Sequence, residues 1–279
     1  MSKIGSTEET AAAGPRLQKT YVITGGANGI GRTAAEILRA RGDRVIVIDK
    51  QQGDITVDLS TAEGRQTAVG AVFSECPDGI DGLVCAAGIA SPTTRNSSVI
   101  SVNYFGNVAV IDGLFPLLER KQGSCVTVSS ASLTWGKQDQ AGYLADLITA
   151  CGDETRIAEL VDAFPPEKAL MLYHVSKIAL ARWVRRTSAD WGARGVRMTI
   201  VAPGCVDTQL NAPPKGVKPN ESFHRTIPLF HGTGRIIPPA DIGEVIVYLL
   251  DKESRGLSGC TVIADAGQDA FLNPERVCM

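Results

Sequence analysis

Three histidines in 279 residues, and no CxxC spacing among seven cysteines, leave little to build a metal site or a disulfide framework. Cys85, Cys125 and Cys260 sit in apolar, strand-like runs, where a free thiol behaves as a small hydrophobe. That usage points to a reduced, cytoplasmic protein. No charge sign dominates either: 28 Lys and Arg stand against 30 Asp and Glu, a net charge of −2. A nucleic-acid or membrane footprint needs a basic surplus, so neither partner is expected. No apolar run is long enough to cross a bilayer. The first twenty residues lack the apolar core of a secretion signal, and residues 1–17 read as a disordered tail. There is no internal repeat, and no linker splits the remainder.

What is present is alternation. TYVIT (20–24), RVIVI (44–48), GLVCA (82–86), SCVTVS (124–129), VRMTIV (196–201) and CTVIA (260–264) read as buried parallel strands, with DITV (54–57) as a shorter one. Amphipathic stretches lie between them. After the first strand, Ile30, Ala34, Ile37 and Leu38 share a helix face, and Gly42 supplies the stop. The pattern predicts an α/β fold: one doubly wound parallel sheet of about seven strands, with helices on both faces, over residues 18–279.

The first strand runs into TGGANGIGRT (24–33). Gly25, Gly29 and Gly31 fall where the chain turns sharply and lets a phosphate approach the backbone. The helix that follows offers free N–H groups and a positive dipole end. The run also nearly spells a P-loop, with Arg32 where that loop has lysine. The next strand decides between them. It ends in Asp49, placed to bind the ribose hydroxyls of a dinucleotide and to repel a 2′-phosphate, which favours NAD over NADP. Lys50 and Arg32 are nearby cations that pull the other way. Asp58, in VDLS, is a candidate neighbour of the adenine.

YHVSK (173–177) puts Tyr173 and Lys177 one helical turn apart on one face. A cation beside a phenol favours the phenolate, so Lys177 is expected to lower the Tyr173 pKa. His174 points elsewhere on the helix and reads as a packing residue. His224 and His231 show no metal-ligand spacing.

Taken in order, TGGANGIG, Asp49, Ser129-Ser130 and YHVSK resemble the short-chain dehydrogenase/reductase family over about residues 18–270. CAAG (85–88) is similar to its NAG-type motif, with Cys85 and Ala86 where asparagines are usual. VNYFG (102–106), APGCVDT (202–208) and VIADAG (262–267) agree, with Ala266 where glycine is common. DLSTAEGR (58–65), DGLV (81–84) and SVNYFG (101–106) are most similar to the family's bacterial 3α-hydroxysteroid dehydrogenase/carbonyl reductase branch. The resemblance implies a Rossmann-type, NAD-dependent alcohol dehydrogenase or carbonyl reductase without a metal. Its catalytic residues would be Asn103, Ser130, Tyr173 and Lys177, with Ser130 preferred to Ser129 by alignment. Its cofactor would lie against Gly25, Asn28, Gly29, Ile30, Gly31, Asp49, Asp58, Leu59, Ala87, Gly88, Pro203, Gly204, Val206 and Thr208, besides Tyr173 and Lys177. The substrate would be a small apolar alcohol or its ketone, and the protein a homodimer or homotetramer.

Two segments are unusual. The distance from Ser130 to Tyr173 is long, and about 136–166 reads as a helical insertion. Tyr143, Leu144, Leu147 and Ile148 space as one helix face; Ile157, Leu160, Val161 and Phe164 space as another. Gly152 and Asp153 supply a stop and an N-cap between them, and two prolines end the second helix. Apolar faces of this kind need burial, in a subunit contact that would make a dimer or against the chain's own cleft. Residues 209–236, polar and proline-rich, read as a substrate lid, with Leu210, Phe223, Ile227, Leu229 and Phe230 as apolar liners. Trp135 is a candidate pocket wall.

Overall fold

Strands whose odd and even positions are both apolar have two faces to bury, and each face here has its own helical layer. The computed structural model describes residues 17–90, 95–134, 139–165, 168–211 and 236–276. Its first half runs β1 (Thr20–Thr24), α1 (Gly29–Ala40), β2 (Arg44–Asp49), β3 (Ile55–Thr56), α2 (Ala62–Glu75) and β4 (Gly82–Cys85). A short α3 (Ser97–Ile100) passes through a π-helical turn (Ser101–Gly106) into α4 (Asn107–Lys121), then β5 (Ser124–Val128). The insertion supplies α5 (Asp139–Cys151) and α6 (Glu154–Asp162). The chain ends with α7 (Ala169–Ala193), β6 (Arg197–Pro203), α8 (Pro239–Leu250), β7 (Thr261–Ala264) and α9 (Gln268–Leu272).

All seven strands join one parallel sheet in the order β3-β2-β1-β4-β5-β6-β7. This is a Rossmann-like α/β fold. Val22, Ile46, Ile48, Leu83, Cys125 and Ile200 point into the core beneath α2, α4 and α7. Their neighbours Tyr21, Ile23, Val45, Val47, Val84, Val126 and Val201 point into the core beneath α1 and α8. Alternation along each strand therefore feeds two cores. The DITV strand shrinks to Ile55–Thr56, at the sheet edge, where one side has no strand to pair with.

One helical run is longer and more apolar than the sequence reading allowed. Ser97–Lys121 spans 25 residues with a mean hydropathy of 1.3 over its best window. Its apolar side is accounted for by the sheet: Val110, Ile111, Leu114, Leu117 and Leu118 are buried in the core.

The insertion is helical as expected. Gly152 takes a left-handed φ of +64°, and the Asp153 carboxylate accepts from the Arg156 N–H to cap α6. The buried face of α5 is a correction. Ala145 and Ile148 are buried, whereas Tyr143 is 75% exposed and Leu147 is also outside. The reason is the neighbour. Here α5 lies along α7, with Arg182 donating to the Gly142 carbonyl at 2.7 Å and pairing with Asp146, as does Arg186. Small residues let α7 approach, so the bulkier pair is turned outward. On α6, Ile157 and Val161 are buried and Phe164 partly so, but Leu160 is exposed. The insertion thus folds onto its own chain.

Candidate active site

The predicted site residues gather at the carboxyl ends of β1, β2, β4, β5 and β6, flanking the point where strand order reverses between β1 and β4. That crevice is where open α/β sheets bind ligands. Gly25 has φ +68°, and a Cβ there would lie 2.7 Å from the Ala87 backbone. A Cβ on Gly31 would collide with the Gly25 carbonyl. Only glycine brings the loop, the start of α1 and the turn after β4 this close. Asn28 begins α1 without a side-chain cap, no acid occupies the first turn, and Ile30 is half-buried behind it. Gly29 faces Thr208, which follows Pro203, Gly204 and the buried Val206 in the turn after β6.

Asp49 ends β2 and reaches back to the glycine loop. One carboxylate oxygen accepts from the Ala27 N–H at 3.1 Å and the other from the Gln51 N–H at 3.0 Å. The two cations that counted against NAD each have a carboxylate partner. Lys50 pairs with Asp58 at 2.6 Å, and Arg32 with Glu36 at 3.6 Å. Burial raises the Asp58 pKa, but Lys50 and the Ser60 N–H outweigh it and hold the carboxyl below its ordinary value. Leu59 is buried beside it, its carbonyl facing Gly106 of the π turn.

Ala87 and Gly88 follow β4. The Ala87 N–H is held by the Thr24 hydroxyl at 3.2 Å, and its carbonyl accepts from Asn107 Nδ2 at 3.2 Å. Neither Thr24 nor Asn107 carries a motif signal of its own in the sequence, although Asn107 directly follows VNYFG. A Cβ on Gly88 would sit 3.3 Å from both Lys177 Nζ and Asn103 Oδ1, so this turn touches the predicted catalytic groups.

Asn103 is fully buried on the π turn rather than on a regular helix. Its side chain accepts from the Ile89 N–H (2.8 Å) and donates to the Ile89 carbonyl (2.9 Å) and the Ser176 hydroxyl (3.0 Å). Asn107 also donates to the Asn103 carbonyl, at 2.9 Å. At the end of β5, the two serines separate. Ser129 is buried and donates to the Lys177 carbonyl at 3.2 Å. The Ser130 side chain neighbours the Tyr173 hydroxyl and draws its pKa down, and its own oxygen accepts from the Ser132 N–H at 3.1 Å. His174 packs against Ser132, and burial lowers its pKa.

Lys177 lies one turn along α7 from Tyr173. Burial raises the Tyr173 pKa, and the Ser130 side chain acts against that rise. The lysine's Nζ donates to the Val128 carbonyl at 2.9 Å and lies 5.7 Å from the centre of the Tyr173 ring. Burial lowers its own pKa to about 8.

Trp135, His224, His231 and the lid residues Phe223, Ile227, Leu229 and Phe230 lie outside the described residues. Leu210 is exposed in a short turn, Gln209–Asn211. A separate cleft, lined by Lys19, Asp81, Arg197 and Lys252 among others, opens at the amino ends of the strands and contains none of the predicted site residues.

Residues 19–145 match the short chain dehydrogenase family model, and residues 161–269 match the related model described as enoyl-(acyl carrier protein) reductase. The interval between the matches falls inside α5 and α6. The chain is 34% identical to a 3-alpha-hydroxysteroid dehydrogenase/carbonyl reductase of Comamonas testosteroni, over 91% of this chain and 98% of that one. It is 30% identical to a coniferyl-alcohol dehydrogenase of a Pseudomonas species, over 89% and 96%. Among solved structures, a 3-alpha-hydroxysteroid dehydrogenase from Pseudomonas sp. B-0831 in complex with NADH superposes with a TM-score of 0.83. It is 36% identical, over 92% of this chain and 99% of that one. With two family models running from residue 19 to 269 around the insertion, and relatives matched almost end to end, the chain belongs to the short-chain dehydrogenase/reductase family of oxidoreductases.

Proposed function

We propose that the protein is an NAD(H)-dependent oxidoreductase that interconverts an apolar secondary alcohol and its ketone. The observation that carries this reading is Tyr173 beside Ser130, with Lys177 one helical turn on and its Nζ against the Gly88 turn. The loop fits a dinucleotide, because Gly25 and Gly31 let its backbone close tightly against the Ala87 turn and the start of α1, and Gly88 sets that turn beside Lys177 and Asn103. Bound there, the nicotinamide supplies or accepts the hydride.

The chain's own residues manage the oxygen. In reduction Tyr173 gives a proton to the carbonyl oxygen; in oxidation it takes one from the hydroxyl. Ser130 donates to the same oxygen as negative charge grows on it. Lys177 is positioned by the Val128 carbonyl to bind the nicotinamide ribose beside Gly88. Asn103 has its side chain fully engaged, so a water linking Lys177 to solvent would use the second lone pair of its carbonyl. Asp49 selects NAD over NADP.

The names of the relatives suggest the substrate class. A hydroxysteroid and coniferyl alcohol are both alcohols on apolar frames. A steroid 3α-alcohol, an aryl alcohol or an amino alcohol are the candidates, and a cyclic dihydrodiol would need the same groups. Incubating the protein with NAD and a panel of such alcohols should produce NADH absorbance at 340 nm with at least one. NADH binding without turnover on any member would favour a non-catalytic dinucleotide sensor instead.

We further propose that the protein is a homodimer. The insertion covers part of α7 within its own chain, which leaves Tyr143, Leu147 and Leu160 outside as apolar surface for a subunit contact. Light scattering should give a dimer mass, reduced by Tyr143→Glu with Leu147→Glu. A tetramer whose mass ignores these changes would defeat the idea.

A further inference from the structure

Arg65, the last residue of DLSTAEGR, has no part in the chemistry above, yet it is only 6% exposed. Arginine is rarely buried unless it is paired. Its Nε donates to the Leu59 carbonyl at 2.8 Å. Its Nη2 reaches the carbonyls of Ser60 (3.3 Å) and Ser101 (3.0 Å). Nη1 and Nη2 together clasp the two carboxylate oxygens of Glu154. Such a two-pronged pair fixes direction as well as distance. Glu154 opens α6, so one side chain links the insertion to the Leu59–Ser60 turn and to the first residue of the π turn.

The other end of α6 is held as well. The Asp162 carboxylate accepts from the Ser97 N–H at 2.7 Å and the Ser97 hydroxyl at 2.9 Å. Asn96 Nδ2 donates to the Val161 and Phe164 carbonyls at 3.2 and 2.8 Å. Between the two ends, Ile157 and Val161 are buried in the core shared with α3 and α4. The segment running from Ser97 to Gly106 is therefore pinned at Ser97 directly by α6, and at Ser101 by Arg65, which the other end of α6 holds through Glu154. It carries Asn103 on a π-helical turn, a conformation that appears in single turns and needs outside support.

We infer that α6 is a splint for the Asn103 segment, and that Arg65, Glu154 and Asp162 are positioning residues for the cofactor site and the reaction. The inference rests on the proposed roles of Asn103 and of the Leu59 turn. The Arg65–Glu154 end braces the turn against which the adenine lies, so its loss should appear in cofactor affinity. The Asp162–Ser97 end touches only the segment leading to Asn103, so its loss should appear in turnover.

Two variants separate these effects in the full-length protein. Arg65→Met with Glu154→Leu removes both charges together, so no buried charge is stranded. Asp162→Asn keeps size and weakens the second clamp. Three measurements apply: NADH binding by fluorescence, kcat at saturating cofactor on an alcohol the wild type oxidises, and amide hydrogen exchange across residues 97–106. The first variant should weaken NADH binding roughly three- to thirty-fold, the range in which supporting contacts modulate a site. Asp162→Asn should lower kcat by a similar factor while NADH binding changes less than about twofold. Both should speed exchange in 97–106. Folded variants with unchanged binding, turnover and exchange would overturn the inference, whatever their melting temperatures. Should the double variant not fold, Glu154→Gln takes its place, judged by the same three readings. A wild type that binds no NADH would sink the proposed function instead, and exchange alone would then decide whether α6 is a splint.

Discussion

Tyr173→Phe will lose turnover by roughly a thousandfold while keeping its fold and its NADH binding, within the range that a positioned acid or base contributes. The ring fills the same space, so packing along α7 is unchanged. What disappears is the hydroxyl beside Ser130 that passes the proton. Ser130 keeps its second tether, the Ser132 N–H, so the serine is not released by the change. Burial holds the Tyr173 pKa above its ordinary value, which keeps the phenol protonated at neutral pH. That is the form required to protonate a carbonyl, and a phenol of ordinary pKa shares it at neutral pH. Stopped-assay turnover and NADH titration on the same preparation test both halves of the expectation. A variant with near wild-type turnover would remove Tyr173 from the mechanism.

The readings that held are those whose cause is local. Each strand declares itself because both faces are buried, so its apolar run is continuous wherever it sits in the sheet. Gly152 and Asp153 mark the break in the insertion because a left-handed φ and an N-cap are made by the residues themselves. The glycine loop is legible for the same reason. What failed to show depends on partners distant in sequence. The apolar spacing of α5 offers two overlapping faces, and α7 with Arg182 and Arg186 selects the one bearing Ala145 and Ile148. Arg65 and Glu154 stand 89 positions apart, and nothing near either announces the other. The π turn at Asn103 has no composition signal; Asn107 and α6 hold it in place from outside. Spacing puts two side chains on one face, but only the fold shows that Lys177 turns to the Val128 carbonyl.

Asp49→Ser should move the preference between NAD and NADP by about two orders of magnitude, as the ratio of the two kcat/KM values. A hydrogen bond to a charged group contributes about 1.5–3 kcal/mol, so losing the carboxylate's contact with the ribose alone should cost NAD on the order of tenfold to a hundredfold. For NADP the same change removes a repulsion. It also alters what the neighbouring cations can do. Lys50 is 70% exposed and pairs with Asp58, and Arg32 pairs with Glu36 on the surface of α1. Exposed pairs of this kind are worth about 0–1 kcal/mol, too little to hold either cation against a phosphate. In the wild type the Asp49 carboxylate opposes the approach of that phosphate. Without it, Lys50 and Arg32 are free to turn toward the anion. A serine hydroxyl can still accept from the Ala27 N–H, so the glycine loop keeps one of its supports. Steady-state rates with both cofactors, for wild type and variant, give the four numbers needed. A wild type that already prefers NADPH would show that the cations, not the carboxylate, govern the site. A variant with unchanged preference would show that Asp49 serves only to hold the loop.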